Sequence, residues 1–160
     1  MDLKHAVRVR IRAAGLTLVE LMLVLMLIGV LAAIAMPMYA NYRERINRAT
    51  AVQDIRILQL LIADYAASGG TFPTSLADVG NGGKLDPWGQ AYQYVDLTAI
   101  DGHGKARKDH KFNPINTSFD LYSMGKDGVS RTQLTQKDSL DDIVRARDGA
   151  FVGLASDFSS

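Results

Sequence analysis

The chain contains no cysteine, and this absence excludes several classes of site at once. Without a thiol the protein can form no disulfide, no thiolate metal site, no cysteine nucleophile and no thioether-linked lipid anchor. The cellular compartment stays open, because exported domains without disulfides are common. Outside the cytoplasm, packing or a bound metal ion would have to supply the stability that disulfides often provide.

Histidine is also scarce, with three in 160 residues. His5 lies in the N-terminal arm, whereas His103 and His110 lie in a basic segment at 101–112 that we expect to be an exposed loop. These two histidines could bind a metal together, and the basic side chains around them could meet a phosphate or an acidic partner. A solvated loop is the commoner arrangement for such a segment.

The sequence also lacks the signatures of common catalytic sites. A hydrolase of the Ser–His–Asp or Cys–His type needs a base held beside its nucleophile, and no G-x-S-x-G turn is present. The glycine-rich stretch at 80–84 has the wrong spacing for a phosphate-binding loop, and Leu85 stands where that loop carries Ser or Thr. Aromatic residues do not alternate with the basic ones as they do in single-strand binders. We therefore predict no enzyme activity and no nucleic-acid partner.

Charge is distributed unevenly along the chain. Residues 1–15 carry a net charge of +3 within a total of +1, and residues 16–42 contain one charged side chain, Glu20. As a helix rising about 1.5 Å per residue, the uncharged stretch 21–42 is long enough to cross the apolar core of a bilayer. Because basic residues before such a stretch usually stay in the cytoplasm, we predict one membrane-spanning helix with the remaining chain on the far side.

The same helix should continue into water. Within 43–67 the apolar positions recur at steps of four and three, which gives a single apolar stripe that we expect to pack on the domain's own sheet. Pro37 should kink or loosen the helix near 33–37, and the glycines after Ser68 should end it. The stripe consists of Ala51, Ile55, Leu58, Ile62 and Tyr65.

The rest of the chain, 71–160, is rich in turn residues and contains short strand candidates. It shows no internal repeat and no low-complexity tract. We predict strands at 91–97 and 118–124, a turn at 125–128, a brief helix within 72–79 capped by Thr74, and a helical turn within 138–146.

The N-terminal region has two interpretations. A basic arm, an apolar stretch and the small residues at 33–35 together match a secretory signal peptide cut before Met36. Two features count against that interpretation: Glu20 lies where the apolar core of a signal peptide should begin, and the uncharged stretch runs several residues past the cleavage site.

The heptapeptide A-G-L-T-L-V-E at 14–20 resembles the class III leader of type IV pilins and pseudopilins. The resemblance implies that a membrane peptidase cuts between Gly15 and Leu16 and methylates the new amine. It also implies a pilin-like α+β fold: a long N-terminal helix, transmembrane in its first half and amphipathic in its second, packed on a small antiparallel sheet with a C-terminal loop region. The domains are then a leader at 1–15, an apolar helix at 16–42 and a globular domain at 43–160.

The family resemblance gives Glu20 a role. A charge in hydrocarbon persists when it has a partner. After cleavage, the amine of Leu16 would lie roughly 6 Å from Glu20 along the same helix, and the amine of a neighbouring subunit could come closer. We hypothesise that Glu20 pairs with the Leu16 amine of the adjacent subunit and sets its register during assembly.

Three motifs in the C-terminal half, at 85–94, 119–128 and 141–143, resemble the major pseudopilin of type II secretion systems. In that group a D-P-W-G turn leads into a strand, and an S-x-G-x-D-G turn with a later acidic pair binds calcium, a cation that takes six to eight oxygen ligands. The resemblance implies a calcium site made by Leu121, Ser123, Asp127, Asp141 and Asp142, the first two through their carbonyl groups.

The resemblance also implies a function. The protein would be the repeating subunit of a periplasmic pseudopilus, anchored in the bacterial inner membrane by one span, with its C-terminal domain in the periplasm. Its partners would be further copies of itself, minor pseudopilins, the prepilin peptidase and an inner-membrane assembly platform. The alternatives are a surface type IV pilus subunit and a soluble periplasmic binding module cut after Ala35.

Overall fold

A computed structural model describes residues 15–99 and 103–158. The chain divides into two units, residues 1–41 and 42–160. Nearly all of the basic leader predicted at 1–15 lies outside the described residues, as does the arginine-rich arm that it contains. The predicted boundary between the apolar helix and the globular domain, at 42/43, falls one residue from the division between these units.

One helix, α1, runs from Leu18 to Gly69 and contains Pro37. The helix continues through the region where we expected it to loosen, because a proline removes only one backbone donor from a long ladder of hydrogen bonds. It ends two residues later than predicted, where Gly70 takes a left-handed conformation with φ of 73° and donates its N–H to the Ala66 carbonyl at 2.8 Å. A glycine in this conformation is the usual way to end a helix.

The first unit contains the N-terminal half of α1, whose apolar side chains are almost all exposed. An 18-residue window of this helix has a mean hydropathy of 2.8, with none of it buried. Among the described residues, α1 is the one helix long and apolar enough to cross a membrane. The predicted apolar helix is therefore present, and almost all of its apolar side chains stay exposed among the residues that the structure describes.

The second unit contains the C-terminal half of α1, which buries one apolar stripe, as the sequence predicted. Four of the five stripe residues are fully buried, at spacings of four, three and four. Tyr65 is the exception: it is 40% exposed, so the predicted stripe ends one turn early. The buried members are Ala51, Ile55, Leu58 and Ile62.

The sheet has four antiparallel strands in chain order, so each strand pairs with the next. The first two strands match the predicted strands, and the turn at 125–128 also forms. The region 138–146 begins with a short 3₁₀ turn but then forms a strand, and the last strand was not predicted. Residues 72–79 form turns and no helix. The strands are β1 Gln93–Asp96, β2 Phe119–Ser123, β3 Ile143–Ala146 and β4 Phe151–Leu154, followed by a short helix α2 Ala155–Phe158.

The two central strands are buried on both faces. One face of the sheet meets α1 through Phe119, Leu121 and Ile143. The opposite face, which includes Val144, is covered by loop residues such as Leu134. Strands buried on both faces lose the apolar–polar alternation that marks a half-exposed strand, which explains why β3 escaped sequence-based detection.

The covering loops include residues 103–112 of the predicted basic loop 101–112. We expected this segment to be exposed throughout, but Ala106, Arg107 and Asp109 are buried. The backbone N–H of Lys108 donates to the carbonyl of Thr132 at 3.0 Å, which holds the segment against the rest of the domain. The middle of this segment is therefore buried in the domain, while Lys105 and Lys111 remain exposed.

Candidate functional site

The predicted processing site lies immediately before α1. Gly15 and Leu16 are both exposed, and Leu16 retains 75% of its accessible surface. Neither residue is part of a helix or strand. A peptidase needs an accessible and extended backbone at the bond that it cuts, and this geometry is compatible with cleavage between the two residues.

Glu20 makes a capping box with Thr17 at the start of α1. The backbone N–H and the hydroxyl of Thr17 both donate to Oε2 of Glu20 at 2.8 Å, and the N–H of Glu20 donates to the Thr17 hydroxyl at 3.2 Å. This reciprocal pattern satisfies backbone donors that the first turn of a helix otherwise leaves unpaired. The acid thus has a role within its own chain.

The sequence contains the signature of this capping box, although we did not predict it. T-L-V-E at 17–20 has Thr followed three residues later by Glu, directly before an apolar stretch, which is the signature of such a helix start. The predicted contact between Glu20 and the amine of a neighbouring Leu16 stays a prediction. The capping box adds a second explanation for the acid that experiments must separate from the first.

The second site is built on the D-P-W-G turn. Oδ1 of Asp86 accepts hydrogen bonds from the backbone N–H groups of Trp88 at 3.0 Å and Gln90 at 2.9 Å. Gly89 takes a left-handed φ of 90°, which glycine adopts without strain. Aspartate and glycine therefore fix this turn from within, and Asp86 is only 5% exposed.

Asp86 also connects the turn to the end of β2. The Ser123 hydroxyl donates to Oδ2 of Asp86 at 2.5 Å and accepts the N–H of Gly125 at 3.1 Å. A Cβ atom at Gly125 would clash with the backbone carbonyl oxygen of Asp141, and the residue has a φ of 66°, so only glycine fits there. Three motifs that are distant in the sequence thus meet at one place.

The predicted calcium ligands divide between two environments. Asp141 and Asp127 lie together at the 125–128 turn, where Oδ2 of Asp141 accepts the N–H groups of Lys126 at 2.9 Å and Asp127 at 3.2 Å. Oδ1 of Asp127 accepts the N–H of Val129 at 2.8 Å. The carboxylates at this turn are thus already hydrogen-bonded to the backbone.

Asp142 faces a different environment from Asp141. It is fully buried, and its Oδ2 pairs with the Arg107 guanidinium and accepts the Ser130 hydroxyl at 2.5 Å. Burial raises the pKa of the Asp142 carboxyl to about 6, and the charge of Arg107 opposes that effect. The remaining predicted ligands, Leu121 and Ser123, lie on β2.

Calcium takes six to eight oxygen ligands from carboxylates, carbonyls and water. Within 15–99 and 103–158, no three Asp, Glu, His or Cys side chains are grouped so as to hold a metal ion. The three predicted acids, Asp127, Asp141 and Asp142, are therefore not grouped around one point in this arrangement. Calcium binding stays a prediction.

Sequence reasoning missed a buried polar network beside this loop. Asp120 is fully buried and accepts the N–H of Arg107 at 2.7 Å and the side-chain amide of Asn116 at 2.8 Å. That amide also donates to the carbonyl of Arg145 at 2.9 Å. The sequence pattern gave no signal for this network, because Asp120 alternates with Phe119 and Leu121 and so falls on the face where a half-exposed strand carries solvated side chains.

Comparison with known proteins supports the interpretation of the N-terminal segment. A family model described as the prokaryotic N-terminal methylation motif matches residues 10–36. That range contains the predicted cleavage site, Glu20 and most of the apolar half of α1.

Similarity also extends through the globular unit. Type II secretion system core protein G of Escherichia coli strain K12 is 30% identical over 127 residues, which cover 74% of this chain and 86% of the relative. Core protein G of Dickeya chrysanthemi is 28% identical over 142 residues, covering 76% of this chain and 82% of the relative. A fimbrial protein of Pseudomonas aeruginosa is 30% identical over 122 residues, which cover 72% of this chain and 71% of the relative. No solved structure gave a significant match.

These similarities agree with the fold. A long N-terminal helix with an exposed apolar half, followed by a four-stranded antiparallel sheet, is the α+β arrangement that the class III leader implied. Similarity at this level of identity, over more than two thirds of each chain, indicates common descent. The chain therefore belongs to the type IV pilin-like family, which includes type II secretion core protein G and fimbrial proteins.

Proposed function

We propose that this protein is a structural subunit of a type II secretion pseudopilus, a filament that helps to export folded proteins across the outer membrane. One observation carries the proposal: the methylation motif at 10–36 occurs in a chain that resembles core protein G over about three quarters of its length. The exposed apolar half of α1 supports a polymerising role, because such a surface is stable in a bilayer or against other apolar helices.

The proposal includes a location and a set of partners. The subunit is held in the inner membrane by α1, with residues 42–160 in the periplasm, and the basic residues of the leader support that orientation. A prepilin peptidase cuts after Gly15 and methylates Leu16. An inner-membrane platform then adds the subunit to a filament of identical copies that also contains minor pseudopilins. The subunit itself is structural and performs no catalysis.

The mature N-terminus provides the first test. We expect mass spectrometry of the protein purified from its own bacterium to find a chain that begins with N-methylated Leu16. A chain beginning at Met36 would instead identify a secreted soluble module, and the filament proposal would fail. A Gly15→Val variant is the matched control, because it should leave the leader attached.

A deletion strain provides the second test. We expect loss of the gene to leave secreted proteins trapped in the periplasm, and the wild-type chain to restore their export. The Gly15→Val variant should not restore it, since an unprocessed subunit cannot join a filament. Normal export in the deletion strain would contradict the proposal.

A surface type IV pilus subunit is the second candidate function. The observation that favours it is the 30% identity to a fimbrial protein of Pseudomonas aeruginosa, which covers 72% of this chain. In that case the deletion strain would lose surface filaments recovered by shearing, and protein export would be unchanged. The same strain therefore distinguishes the two branches of the family.

The role of Glu20 can be separated into its charge and its capping bonds. Glu20→Gln removes the charge but keeps an oxygen that can accept the Thr17 donors, whereas Thr17→Ala keeps the charge and removes the two bonds made by the hydroxyl. If Glu20 pairs with the amine of an adjacent subunit, Glu20→Gln should be cleaved normally but fail to assemble, while Thr17→Ala assembles. The opposite result would assign the acid to capping.

A further inference from the structure

The segment between β1 and β2 places one positive charge inside the globular unit. Arg107 is 3% exposed, although its neighbours Lys105 and Lys111 are exposed. Its guanidinium lies 3.9 Å from the centre of the Tyr122 ring, a stacking geometry that favours arginine over lysine. This arginine is therefore placed by packing and is not part of a solvated basic loop.

The guanidinium connects three segments of the chain. One terminal nitrogen pairs with Oδ2 of Asp142, just before β3, and the other donates to the hydroxyl of Ser130 at 2.6 Å. Ser130 in turn donates to the same carboxylate oxygen. Arg107 thus holds Ser130 and the start of β3 against the segment that follows β1.

Asp142 is one of the acids for which the family resemblance implied calcium binding. A buried carboxylate needs an opposite charge, and in this structure the protein supplies that charge itself. Oδ1 of Asp142 is buried and has no hydrogen-bond partner among the described residues. Asp142 could therefore offer a cation only this one unused oxygen, whereas calcium takes six to eight oxygen ligands. Asp141 lies beside it but directs Oδ2 to backbone donors of the adjacent turn.

We propose that the Arg107 guanidinium takes the place of a bound divalent cation at Asp142, and that it is the positive charge that stabilises the loop between β2 and β3. It neutralises the buried acid and ties together the chain segments that a metal ion would otherwise join. The folding of this domain is consequently independent of calcium. The inference concerns the stability of the subunit and does not depend on which filament the subunit joins.

Thermal unfolding of the full-length wild-type protein in detergent tests the proposal directly. We expect the melting temperature to be the same in EDTA, in buffer and in excess calcium chloride. A lower melting temperature in EDTA that calcium chloride restores would overturn the proposal. This measurement uses only the wild-type chain, so it decides the question even if a variant fails to fold.

Variants test whether Arg107 is the responsible cation. Arg107→Ala leaves Asp142 buried and unpaired, and we expect it to lower the melting temperature by about 10–20 °C. Arg131→Ala is the matched control, because that arginine is 59% exposed and pairs with an exposed acid, Asp138. Equal effects of the two substitutions would overturn the proposal.

A double variant separates the lost charge pair from lost packing. Arg107→Met together with Asp142→Leu removes both charges and retains apolar volume, and we expect it to melt at least several degrees above Arg107→Ala. A double variant no more stable than Arg107→Ala would contradict the proposal, because the penalty could not then come from the unpaired Asp142.

Discussion

The two halves of α1 contain similar apolar residues but have different surroundings. Leu27, in the N-terminal half, is 56% exposed, whereas Leu58, in the C-terminal half, is fully buried against the sheet. The N-terminal half is apolar on every side, and the C-terminal half is apolar along one stripe. An apolar residue thus stabilises the fold only where the chain returns to cover it, and elsewhere it serves contacts with a membrane or another molecule.

The largest expected effect is on the stability of the globular unit, and a leucine-to-alanine substitution made in each half of α1 tests it. Leu58→Ala removes a fully buried side chain, and we expect it to lower the free energy of unfolding by about 2–5 kcal/mol. Leu27→Ala is the matched control and should leave the unfolding of the globular unit unchanged. Denaturation in detergent, followed by the fluorescence of Trp88, the single tryptophan, measures both. If both variants lowered the free energy of unfolding by a similar amount, the conclusion that only the C-terminal half of α1 stabilises the globular unit would be wrong.

A charge placed in the N-terminal half tests its membrane role. Leu27→Arg should cost about 2.5–3.5 kcal/mol in membrane insertion, because a charged side chain is unfavourable at the centre of a membrane-spanning helix. We expect this variant to be partly extracted from membranes by alkaline carbonate, while the wild type stays in the pellet. Arg56→Ala, at an exposed position in the other half, should leave membrane retention as in the wild type.

The third prediction concerns a polar group of the globular unit. Asp86→Ala removes the acceptor for two backbone N–H groups and for the Ser123 hydroxyl, and we expect a loss of about 2–3 kcal/mol in the free energy of unfolding. Denaturation measures the loss. Asp78→Ala is the control, since that acid caps an exposed turn, and its effect should be clearly smaller. If both variants lowered the free energy of unfolding equally, the burial of Asp86 would not strengthen its hydrogen bonds relative to those of an exposed acid.

The smallest expected effect is a pH dependence at Asp148. Partial burial alone would raise the pKa of this carboxyl, but hydrogen bonds from Thr117 and Ser118 lower it to about 2, and Arg145 lies 3.8 Å away. Because the folded pKa lies below the unfolded value of about 4, the carboxylate stabilises the fold above that pH, and the contribution is lost as the pH falls from about 4 towards 2.

Unfolding measured between pH 7 and pH 2 checks this sign. After allowance for solvent screening, Asp148→Asn should be about 1 kcal/mol less stable than the wild type at neutral pH, and the difference should disappear near pH 2. Asp138→Asn, in an exposed ion pair, is the control and should change little. A difference that grows on acidification would show that the sign is wrong.

The N-terminal region was largely predictable because its features are local. The apolar stretch, the acid at position 20 and the glycine before the predicted cleavage site can all be recognised within a short window of sequence. The stripe on the C-terminal half of α1 was also predicted, apart from Tyr65. β3 was missed, since a strand buried on both faces shows no alternation.

The sequence by itself determined the helix, its apolar and amphipathic halves and the processing motif, because each depends on residues a few positions apart. Only the tertiary structure decided the partners of the buried acids. Arg107 meets Asp142 from 35 residues away, and Ser123 meets Asp86 from 37. The physical reason is that such pairs form when the path of the whole chain brings them together, and a side chain's own sequence neighbours do not encode that path.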